Sequence, residues 1–511
     1  MFFINASCTY LLLYNTLFFQ KSQFTTLNYF LFVKTVKLLQ YFFNIDLKIN
    51  YMLLLVLHML RNSFSSCYCL PIYNFIKCIM LQGGIMSNSK QNKLNGLKIV
   101  LACLLIQALP YAILAFLQPQ FQAYVLQDKH LGFTVASFSL IFSIGTFASA
   151  VASPIVSKLF AKFGVKPVYI AGAFLGCGAF AAFSVATAPW QFYVLAALMQ
   201  VGAAILSALG IPMLINAWFD ESSKGKALST VMAGGSLSNV VLQTICVNLL
   251  NTNGFRHTYF VFGMLGLAVA LPAAIFLIRL PKNDSEIVRG SNKKADKNEA
   301  KAEEASSTWG YTVKEAMKTN GFKLVAFGFF CVGIYSAALA TQYPNYLHQN
   351  HHVNTGTIGS LFSMCSFVGS IVGGFLFDKI GPFKTMLAGG ILTLCASMSL
   401  VFALDVTPLA YVFAICKGLS IFTYTMGPAL LVGKLFGNKD YAGVLGMVHL
   451  LFGLGFALGS SLFGVLVSSF GYTIAWYTMA VAIVISFTAI LSAIKIMDKL
   501  NKKNNDANIA A

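Results

Sequence analysis

Twelve apolar runs, each about 20 residues or longer, follow one another from Leu97 almost to the end of the chain. A helix rises 1.5 Å per residue, so a run of about 20 residues crosses a hydrocarbon core about 30 Å thick. Helices suit this task because each satisfies its own backbone hydrogen bonds, and the alternation typical of barrel strands is not visible. The predicted spans are 97–117, 134–156, 167–187, 191–215, 227–249, 258–280, 322–343, 356–377, 384–404, 408–432, 442–467 and 472–495.

The composition agrees with lipid as the main solvent of the chain. Of the 511 residues, 57% are hydrophobic and 10% are charged, whereas a soluble domain carries about 25% charged residues. The predicted fold class is an all-α membrane protein with twelve transmembrane helices in two six-helix, pseudo-symmetric bundles. The predicted parts are an N-terminal bundle at 86–280, a polar cytoplasmic linker at 281–321, a C-terminal bundle at 322–497 and a cytoplasmic tail at 498–511. The stretch 312–320 is predicted to form a short surface helix.

Lysine and arginine are concentrated in alternate loops. Lys158, Lys162 and Lys166 lie between spans 2 and 3, whereas the loops on the other side carry only Lys129 and Arg256. Because cytoplasmic loops are enriched in basic residues, both termini are predicted to be cytoplasmic, in the plasma (inner) membrane of a bacterium. The net charge of +19 is then mostly an orientation signal, and nucleic acid is not an expected partner.

The first 85 residues differ from the rest of the chain. They are rich in Phe, Tyr, Leu, Asn, Ile and Lys and contain no clean run of about 20 apolar residues. The sequence before Met86, Gln82 to Ile85, can be encoded by DNA that contains a purine-rich ribosome-binding sequence. We therefore expect Met86 to be the native start and residues 1–85 to be translated upstream DNA. A poorly structured extension is the alternative.

An internal repeat is visible between the two sets of six runs. Span 4 begins at Tyr193 and ends near Pro212, and span 10 begins at Tyr411 and ends near Pro428, so that corresponding residues are 216 to 218 positions apart. Pro110-Tyr111 in span 1 is matched with Tyr343-Pro344 in span 7. Carriers built from repeated units show this kind of symmetry.

Lys417 is the one permanently charged residue deep within a span. It lies nine residues after Pro408, which places it about 13 Å from the end of span 10. A charged group at mid-helix costs about 2.5–3.5 kcal/mol on insertion scales, so it is a functional candidate. No acidic residue lies in a span interior to pair with it. The predicted partner is the carboxylate of a small organic anion, and a neutral or solvated packing lysine is the alternative.

A histidine and several neutral polar residues are the further candidates for substrate binding. His449 in span 11 is about 10 Å from the nearer end of its span, so it is predicted to face a central cavity together with Lys417 and to carry a coupled proton or donate to the anion. Gln200 is the repeat counterpart of Lys417. The uncharged candidates, each with helix-to-helix hydrogen bonding as the alternative, are Gln107, Tyr111, Gln200, Tyr335, Gln342 and Tyr343.

No motif for covalent chemistry is present. The sequence lacks a phosphate-cradling glycine loop with its lysine, an HExxH motif and a serine elbow. The chain is therefore not expected to be an enzyme, and no catalytic residue, cofactor or metal site is predicted. Energy is expected to come from gradients, by alternate exposure of a central site.

The stretch GFLFDKIGPFK, from Gly374 to Lys384, resembles the signature loop of the major facilitator superfamily. A matching stretch, SKLFAKFGVK, follows span 2, where Ala161 replaces the acidic residue. The resemblance covers Leu97 to about Lys499 and implies a secondary transporter with two six-helix bundles. It also implies a gating latch between the bundles, with glycines for close approach and tight turns. The residues predicted for this latch are Gly374, Asp378, Lys379, Gly381, Lys384, Gly164 and Lys166.

Within that superfamily the chain resembles the oxalate/formate antiporter and monocarboxylate transporter branch, through Tyr111 and Phe116, Trp218-Phe219 and the stretch before span 7. Spans 8 and 11 lack the basic residues of the oxalate carriers, which argues against oxalate. The resemblance implies a monomeric carrier in the lipid bilayer that moves a monocarboxylate-like anion by antiport against a counter-anion or by proton symport. A drug or cation exporter and a transporter-like sensor are the alternatives.

Overall fold

A computed structural model describes residues 90–281, 286–288, 310–350, 352–437 and 439–510. Within these ranges the side chains of residues 90–95, 221–226, 378, 442 and 502–510 are not described. Residues 1–85, for which we predict an origin in upstream DNA, lie outside the described part of the chain. All described residues belong to one unit, Gly83–Ala511.

Ten helices in the described residues are long and apolar enough to cross a membrane. Two of them, of 51 and 59 residues, are about twice as long as one crossing requires. The ten helices are Gly96–Gln127, Val135–Phe163, Val165–Val185, Pro189–Trp218, Ala227–Leu277, Asn320–Leu347, Thr355–Phe377, Lys379–Val401, Pro408–Phe436 and Gly443–Asn501.

The 51-residue helix folds back on itself at Gly254. This glycine has φ 74° and ψ 172°, which is not helical. On one side of it, Gly235 packs against Gln107, and on the other side Gly266 packs near Ile113. A straight helix would hold Gly235 and Gly266 about 46 Å apart, whereas Gln107 and Ile113 are only about 9 Å apart along their own helix. The segment therefore contains two crossings, spans 5 and 6.

The 59-residue helix folds back in the same way at Gly471, which has φ 82° and ψ 170°. Gly328 and Gly333 are neighbours on one helix, yet they pack against Ile490 and Phe452 respectively, on either side of Gly471. These are spans 11 and 12. The described helices thus make twelve crossings, as predicted, and we number them 1 to 12 in chain order.

Four glycines with nearly the same backbone conformation divide the chain into repeated units. Gly164, Gly254, Gly381 and Gly471 have φ between 74° and 82° and ψ between 167° and 177°. This is a region that glycine adopts more readily than other residues. The positions 164 and 381 are 217 apart, and so are 254 and 471. The second half therefore repeats the helix–turn–helix connections of the first.

The structure corrects the prediction that matched Pro110 with Pro344. Span 1 begins a new helical segment at Gln118 with Pro119 in its first turn, and span 7 does so at Tyr343 with Pro344 in its first turn. Pro119 lies 23 residues after the start of span 1, and Pro344 lies 24 residues after the start of span 7. A proline starts a helix more readily than it continues one, so the equivalent breaks are at Pro119 and Pro344. Counted from the start of each span, Tyr111 and Tyr335 both lie 15 residues in, so these two tyrosines correspond.

The two halves differ in helical regularity. Five wider, π-helical turns occur in spans 1, 3, 4 and 6, and none is present in spans 7 to 12 of the described chain. The π-helical turns are Gln107–Tyr111, Ile113–Leu117, Phe174–Gly178, Ala204–Leu209 and Ala273–Leu277. Span 10 is irregular in another way, because it consists of three helical pieces, Pro408–Leu419, Phe422–Thr425 and Gly427–Phe436.

The linker between spans 6 and 7 is attached to both halves. Its first described part joins the N-terminal half, where the Val288 amide donates to the Trp218 carbonyl (2.9 Å). Its last part joins the C-terminal half, where the Tyr311 amide donates to the Phe436 carbonyl (2.9 Å). The predicted surface helix is present as Val313–Lys318, capped by Thr312. We call this side of the molecule the linker side and the other side the far side.

The described hydrogen bonds that join the two halves lie towards the far side. They connect spans 1, 5, 7 and 11 with one another and with spans 2 and 8, from the far ends of spans 1 and 7 to the middle of span 5. Examples are Gln122 Nε2 to Gln342 Oε1 (3.1 Å), Asn239 Nδ2 to Ser363 Oγ (2.6 Å) and the hydroxyl pair Ser143–Ser461 (2.6 Å). The far side of this conformation is therefore closed by direct contact between the halves.

Candidate functional site

Lys417 lies where span 10 is interrupted. The first helical piece ends at Leu419, and the Ser420 hydroxyl donates a hydrogen bond to the Lys417 carbonyl (3.0 Å). The short piece that follows carries Tyr424. Interrupted helices are common at the binding sites of transporters, where irregular backbone faces protein or water instead of lipid.

The Lys417 ammonium is enclosed by aromatic rings. The residue is 1% exposed, and its Nζ atom is 4.8 Å from the ring centroid of Tyr424 and 5.6 Å from that of Tyr335. Among the described residues, Nζ has no hydrogen-bond acceptor and no ion-pair partner. The ammonium thus neither faces lipid nor pairs with a described carboxylate. The two ring faces attract a cation but leave its three donors free for another partner.

Span 7 contributes two further buried polar residues, Tyr335, whose ring contacts the lysine, and its chain neighbour Ser336. The Tyr335 hydroxyl and the neighbouring Ser336 hydroxyl are both without a hydrogen bond in the described structure. The Tyr335 ring also packs near Phe487 of span 12, with centroids 6.5 Å apart. An unpaired buried polar group costs roughly 1–3 kcal/mol, so neighbouring groups of this kind usually serve a ligand or water. Lys417, Tyr335, Tyr424 and Ser336 form what we call the lysine cluster.

The predicted candidates Gln342 and Tyr343 belong to the contact between the halves. Gln342 accepts a hydrogen bond from Gln122 and donates to Ser139 Oγ (3.0 Å), so it joins span 7 to spans 1 and 2. Tyr343 accepts a longer bond from Gln120 (3.4 Å), while its ring packs against Phe413, one turn from Lys417. Both residues are therefore part of the far-side closure in this conformation.

The predicted candidates of the N-terminal half are neutral. Gln107 is buried and accepts a hydrogen bond from Ser207 (2.6 Å), so spans 1 and 4 meet where each contains a π-helical turn. Tyr111 is half-buried, and its ring meets Phe116 edge to face. Gln200 is half-buried on span 4, and its Cγ atom lies 2.6 Å from where a Cβ atom of Gly145 would be.

His449 is not brought together with Lys417 by any described contact. Its side chain is exposed, next to the exposed Leu450. It is one helical turn on the linker side of Phe452, whose ring stacks on Tyr424 with centroids 6.1 Å apart. Its role in proton coupling stays a prediction.

Comparison with known proteins identifies the family. The family model described as Major Facilitator Superfamily matches residues 100–432. The chain belongs to the major facilitator superfamily. Among its relatives are two Escherichia coli (strain K12) proteins. The uncharacterized MFS-type transporter YhjX is 26% identical over 334 residues, which cover 63% of this chain and 77% of YhjX. The probable galactarate/D-glucarate transporter GudP is 22% identical over 272 residues, 49% of this chain and 59% of GudP.

Solved structures of other major facilitator transporters have the same fold. The nucleoside transporter NupG has a TM-score of 0.57 at 14% identity, covering 78% of this chain and 99% of NupG. A bacterial homolog of the human lysosomal transporter Spinster, inward-facing and unoccupied, has a TM-score of 0.59 at 14% identity, covering 81% of this chain and 98% of the homolog. This protein is therefore a multi-pass membrane transporter of the superfamily.

The signature loops of this major facilitator protein have the expected turns. Gly164 and Gly381 both have the positive φ of a tight turn. Exposed lysines accompany them at 166, 379 and 384. The side chain of Asp378 lies outside the described part, so the predicted latch stays a prediction.

One predicted role in this loop is wrong. Gly374 does not mediate close helix approach, because a Cβ atom there would meet nothing nearer than Met426 Sδ at 4.0 Å. The close approach of spans 8 and 10 occurs instead at Gly373, against Phe422, and at Gly369, where the Gly418 carbonyl oxygen would be 2.7 Å from a Cβ atom.

Several residues of the structure were not predicted from the sequence. Tyr424 and Ser336 of the lysine cluster were missed because nothing in the sequence distinguishes them from the other aromatic and small residues of apolar spans. The far-side glutamines did leave a signal, because Gln118, Gln120 and Gln122 occur within five residues near the end of span 1. Three amides in such a run predict a polar interface, since lipid would not solvate them.

Proposed function

We propose that this transporter carries a small, monocarboxylate-like organic anion across the bacterial plasma membrane by alternating access. The observation that carries the proposal is the enclosed Lys417 ammonium with no described anionic partner. A buried charge needs a counter-charge, and the substrate carboxylate supplies it on binding. Tyr335, whose ring contacts the ammonium, and the neighbouring Ser336 carry hydroxyls that are unpaired within the described residues and could add neutral donors to such a site.

The relatives support a carboxylate as the substrate class. GudP proteins of Escherichia coli and Bacillus subtilis are named as probable transporters of galactarate and D-glucarate, which are polyhydroxylated dicarboxylates, so these relatives support the carboxylate group and not the number of carboxylates. The runner-up, a drug or cation exporter, would need a carboxylate to bind its cargo. No Asp or Glu lies in the interior of any of the twelve spans.

Removal of the Lys417 charge tests this proposal. We expect Lys417→Met to lower the uptake of the transported monocarboxylate into proteoliposomes by about two orders of magnitude, since loss of one partner of a buried charge pair costs roughly 2–5 kcal/mol. Lys434→Met is the matched control, because Lys434 is an exposed lysine on the same span. Unchanged uptake by a correctly inserted Lys417→Met protein would remove Lys417 from the site.

Separation of the halves at the far side is the second part of the proposal. The Ser143 and Ser461 hydroxyls are 2.6 Å apart, on span 2 of one half and span 11 of the other. We expect the double variant Ser143→Cys/Ser461→Cys to form a disulfide on oxidation and to lose transport, and to regain it on reduction. Each single variant is the control. Full transport by the oxidised double variant would show that the halves need not part there.

Coupling and orientation belong to the same proposal. Proton symport predicts that substrate uptake acidifies the vesicle lumen and that His449→Gln abolishes this acidification, whereas exchange requires a counter-anion inside. The lysines at 158, 162 and 166 support a cytoplasmic linker side, because cytoplasmic loops are enriched in basic residues. A reporter that works only in the cytoplasm should then be active when fused after Ala511, and a reporter that works only outside the cytoplasm should be inactive there.

A further inference from the structure

Gln200 occupies the position in the N-terminal half that Lys417 occupies in the C-terminal half. The two residues are 217 positions apart, the same separation as between Gly164 and Gly381 and between Gly254 and Gly471. Tyr335, beside Lys417, corresponds to Tyr111 when positions are counted from the starts of spans 7 and 1. In carriers built from two related halves, substrate binds between the halves near the midplane. Residues that the pseudo-twofold axis relates are equally far from that axis, so Gln200 and Lys417 lie on opposite sides of it.

The surroundings of Gln200 leave its amide free to bind. The side chain is half-buried, and the amide makes no hydrogen bond with another described residue. Gly145 of span 2 provides the room, because a Cβ atom there would be 2.6 Å from Gln200 Cγ. Two residues earlier on span 2, Ser143 touches the other half through Ser461. Gln200 therefore lies beside a span that forms the contact between the halves.

The residue that covers Lys417 has a small counterpart near Gln200. Tyr424 packs its ring against the ammonium, and the equivalent position, 217 residues earlier, is Ser207. Ser207 points to Gln107, to which it donates its hydrogen bond. Gln200 thus lacks the counterpart of the Tyr424 ring, and its side chain is only half-buried.

We propose that Gln200 binds the end of the substrate farthest from the carboxylate and selects a neutral hydrogen-bonding group there. This inference rests on the proposed function of Lys417. The substrate class is then a monoanion that carries a hydroxyl, carbonyl or amide at its other end. A primary amide both donates and accepts, so it serves each of these groups. A second carboxylate would be buried beside Gln200 without a cation, which disfavours dicarboxylates.

Three matched substrates test this selection in proteoliposomes. Butyrate, 4-hydroxybutyrate and succinate have the same four-carbon chain and differ only in the group at the far end. Hexanoate, 6-hydroxyhexanoate and adipate form the matching six-carbon series, which tests a site with a larger distance between Lys417 and Gln200. For the full-length protein we expect the hydroxy acid to compete best and the dicarboxylate worst. We expect Gln200→Leu to abolish the advantage of the hydroxy acid, and Gln200→Lys to raise the preference for dicarboxylate over monocarboxylate by about tenfold or more.

The outcomes separate the two proposals. If Lys417→Met abolishes uptake but Gln200→Lys leaves the ratio of dicarboxylate to monocarboxylate unchanged, the role of Gln200 is overturned and that of Lys417 stands. If the wild-type protein takes up none of the monocarboxylates, both proposals are overturned. Membrane abundance and size-exclusion profile are measured for every variant, and Gln200→Asn, which keeps the amide, should retain the preference for the hydroxy acid.

Discussion

The two halves of this transporter repeat one backbone plan but carry different chemistry at equivalent positions. The C-terminal half has Lys417 and Tyr424, where the N-terminal half has Gln200 and Ser207. The first pair is a buried cation beneath an aromatic ring, and the second is a half-exposed amide and a hydroxyl that bonds to Gln107. In the proposed site, a duplicated scaffold thus gives a charged side and a neutral side to a substrate bound between the halves.

The halves also differ in how their helices depart from regularity. π-helical turns in the N-terminal half occur at Gln107 and Ser207, which hydrogen-bond to each other. In the C-terminal half the irregularity is a break in span 10 next to Lys417. π-helical turns and broken helices both occur frequently at functional sites. Each half thus has a helical irregularity next to one of the residues compared above, Ser207 in one half and Lys417 in the other.

Exchange of the charge between the halves is the strongest test of this comparison. We expect Lys417→Gln alone to lower uptake about 100-fold and the double variant Lys417→Gln/Gln200→Lys to recover about one tenth of wild-type uptake. Recovery follows because the two positions are related by the pseudo-twofold axis. It is partial because Ser207 gives the new lysine no aromatic cover. A double variant no better than Lys417→Gln would show that the two positions do not contact one substrate.

Removal of the aromatic cover should have a smaller effect. We expect Tyr424→Ser, which copies the N-terminal half, to raise the substrate concentration for half-maximal uptake about tenfold, because a desolvated cation–π contact contributes about 2 kcal/mol or less. Tyr424→Phe keeps the ring and should behave as the wild-type protein. Equal losses in both variants would assign the effect to the Tyr424 hydroxyl instead of its ring.

The neutral pair of the N-terminal half should affect stability more than specificity. Ser207→Ala removes the donor to the buried Gln107 amide oxygen, which costs about 1–3 kcal/mol and should lower the thermal midpoint in detergent by a few degrees. Ser153→Ala is the control, because Ser153 donates only to the carbonyl of Ser149 on its own helix. An unchanged midpoint for Ser207→Ala would mean that water replaces the lost donor.

The smallest effect is expected where the linker joins the C-terminal half. The Thr312 backbone amide donates to Glu315 (2.8 Å) and holds the pKa of this exposed carboxyl below its usual value. A lowered folded-state pKa means that the stabilisation is present above the unfolded-state pKa and is lost as pH falls through the folded-state pKa. We expect Glu315→Gln, measured by thermal unfolding at neutral and acidic pH, to shift the midpoint by about 1 °C or less and to remove only this pH dependence. A larger shift at neutral pH would mean that the contact between Glu315 and Lys439 (3.6 Å) stabilises the linker more than expected.

The amino-acid sequence by itself determined the number of crossings and the short linker helix, and it placed Lys417 well inside the tenth apolar run. Each crossing depends on the transfer of one segment into lipid and on hydrogen bonds within it, so the information is local along the chain. The fold-back at Gly254 and Gly471 was likewise predictable, because polar residues interrupt the apolar runs there.

Only the tertiary structure decided which side chains meet. It placed Tyr424 and Tyr335 around Lys417, assigned Gln342 and Tyr343 to the contact between the halves, and left His449 exposed. In a soluble helix an apolar stripe shows which face is packed. In a membrane span the lipid-facing and packed faces are both apolar, so hydrophobic periodicity does not tell them apart, and neighbours are set by the packing of small residues and a few hydrogen bonds between spans.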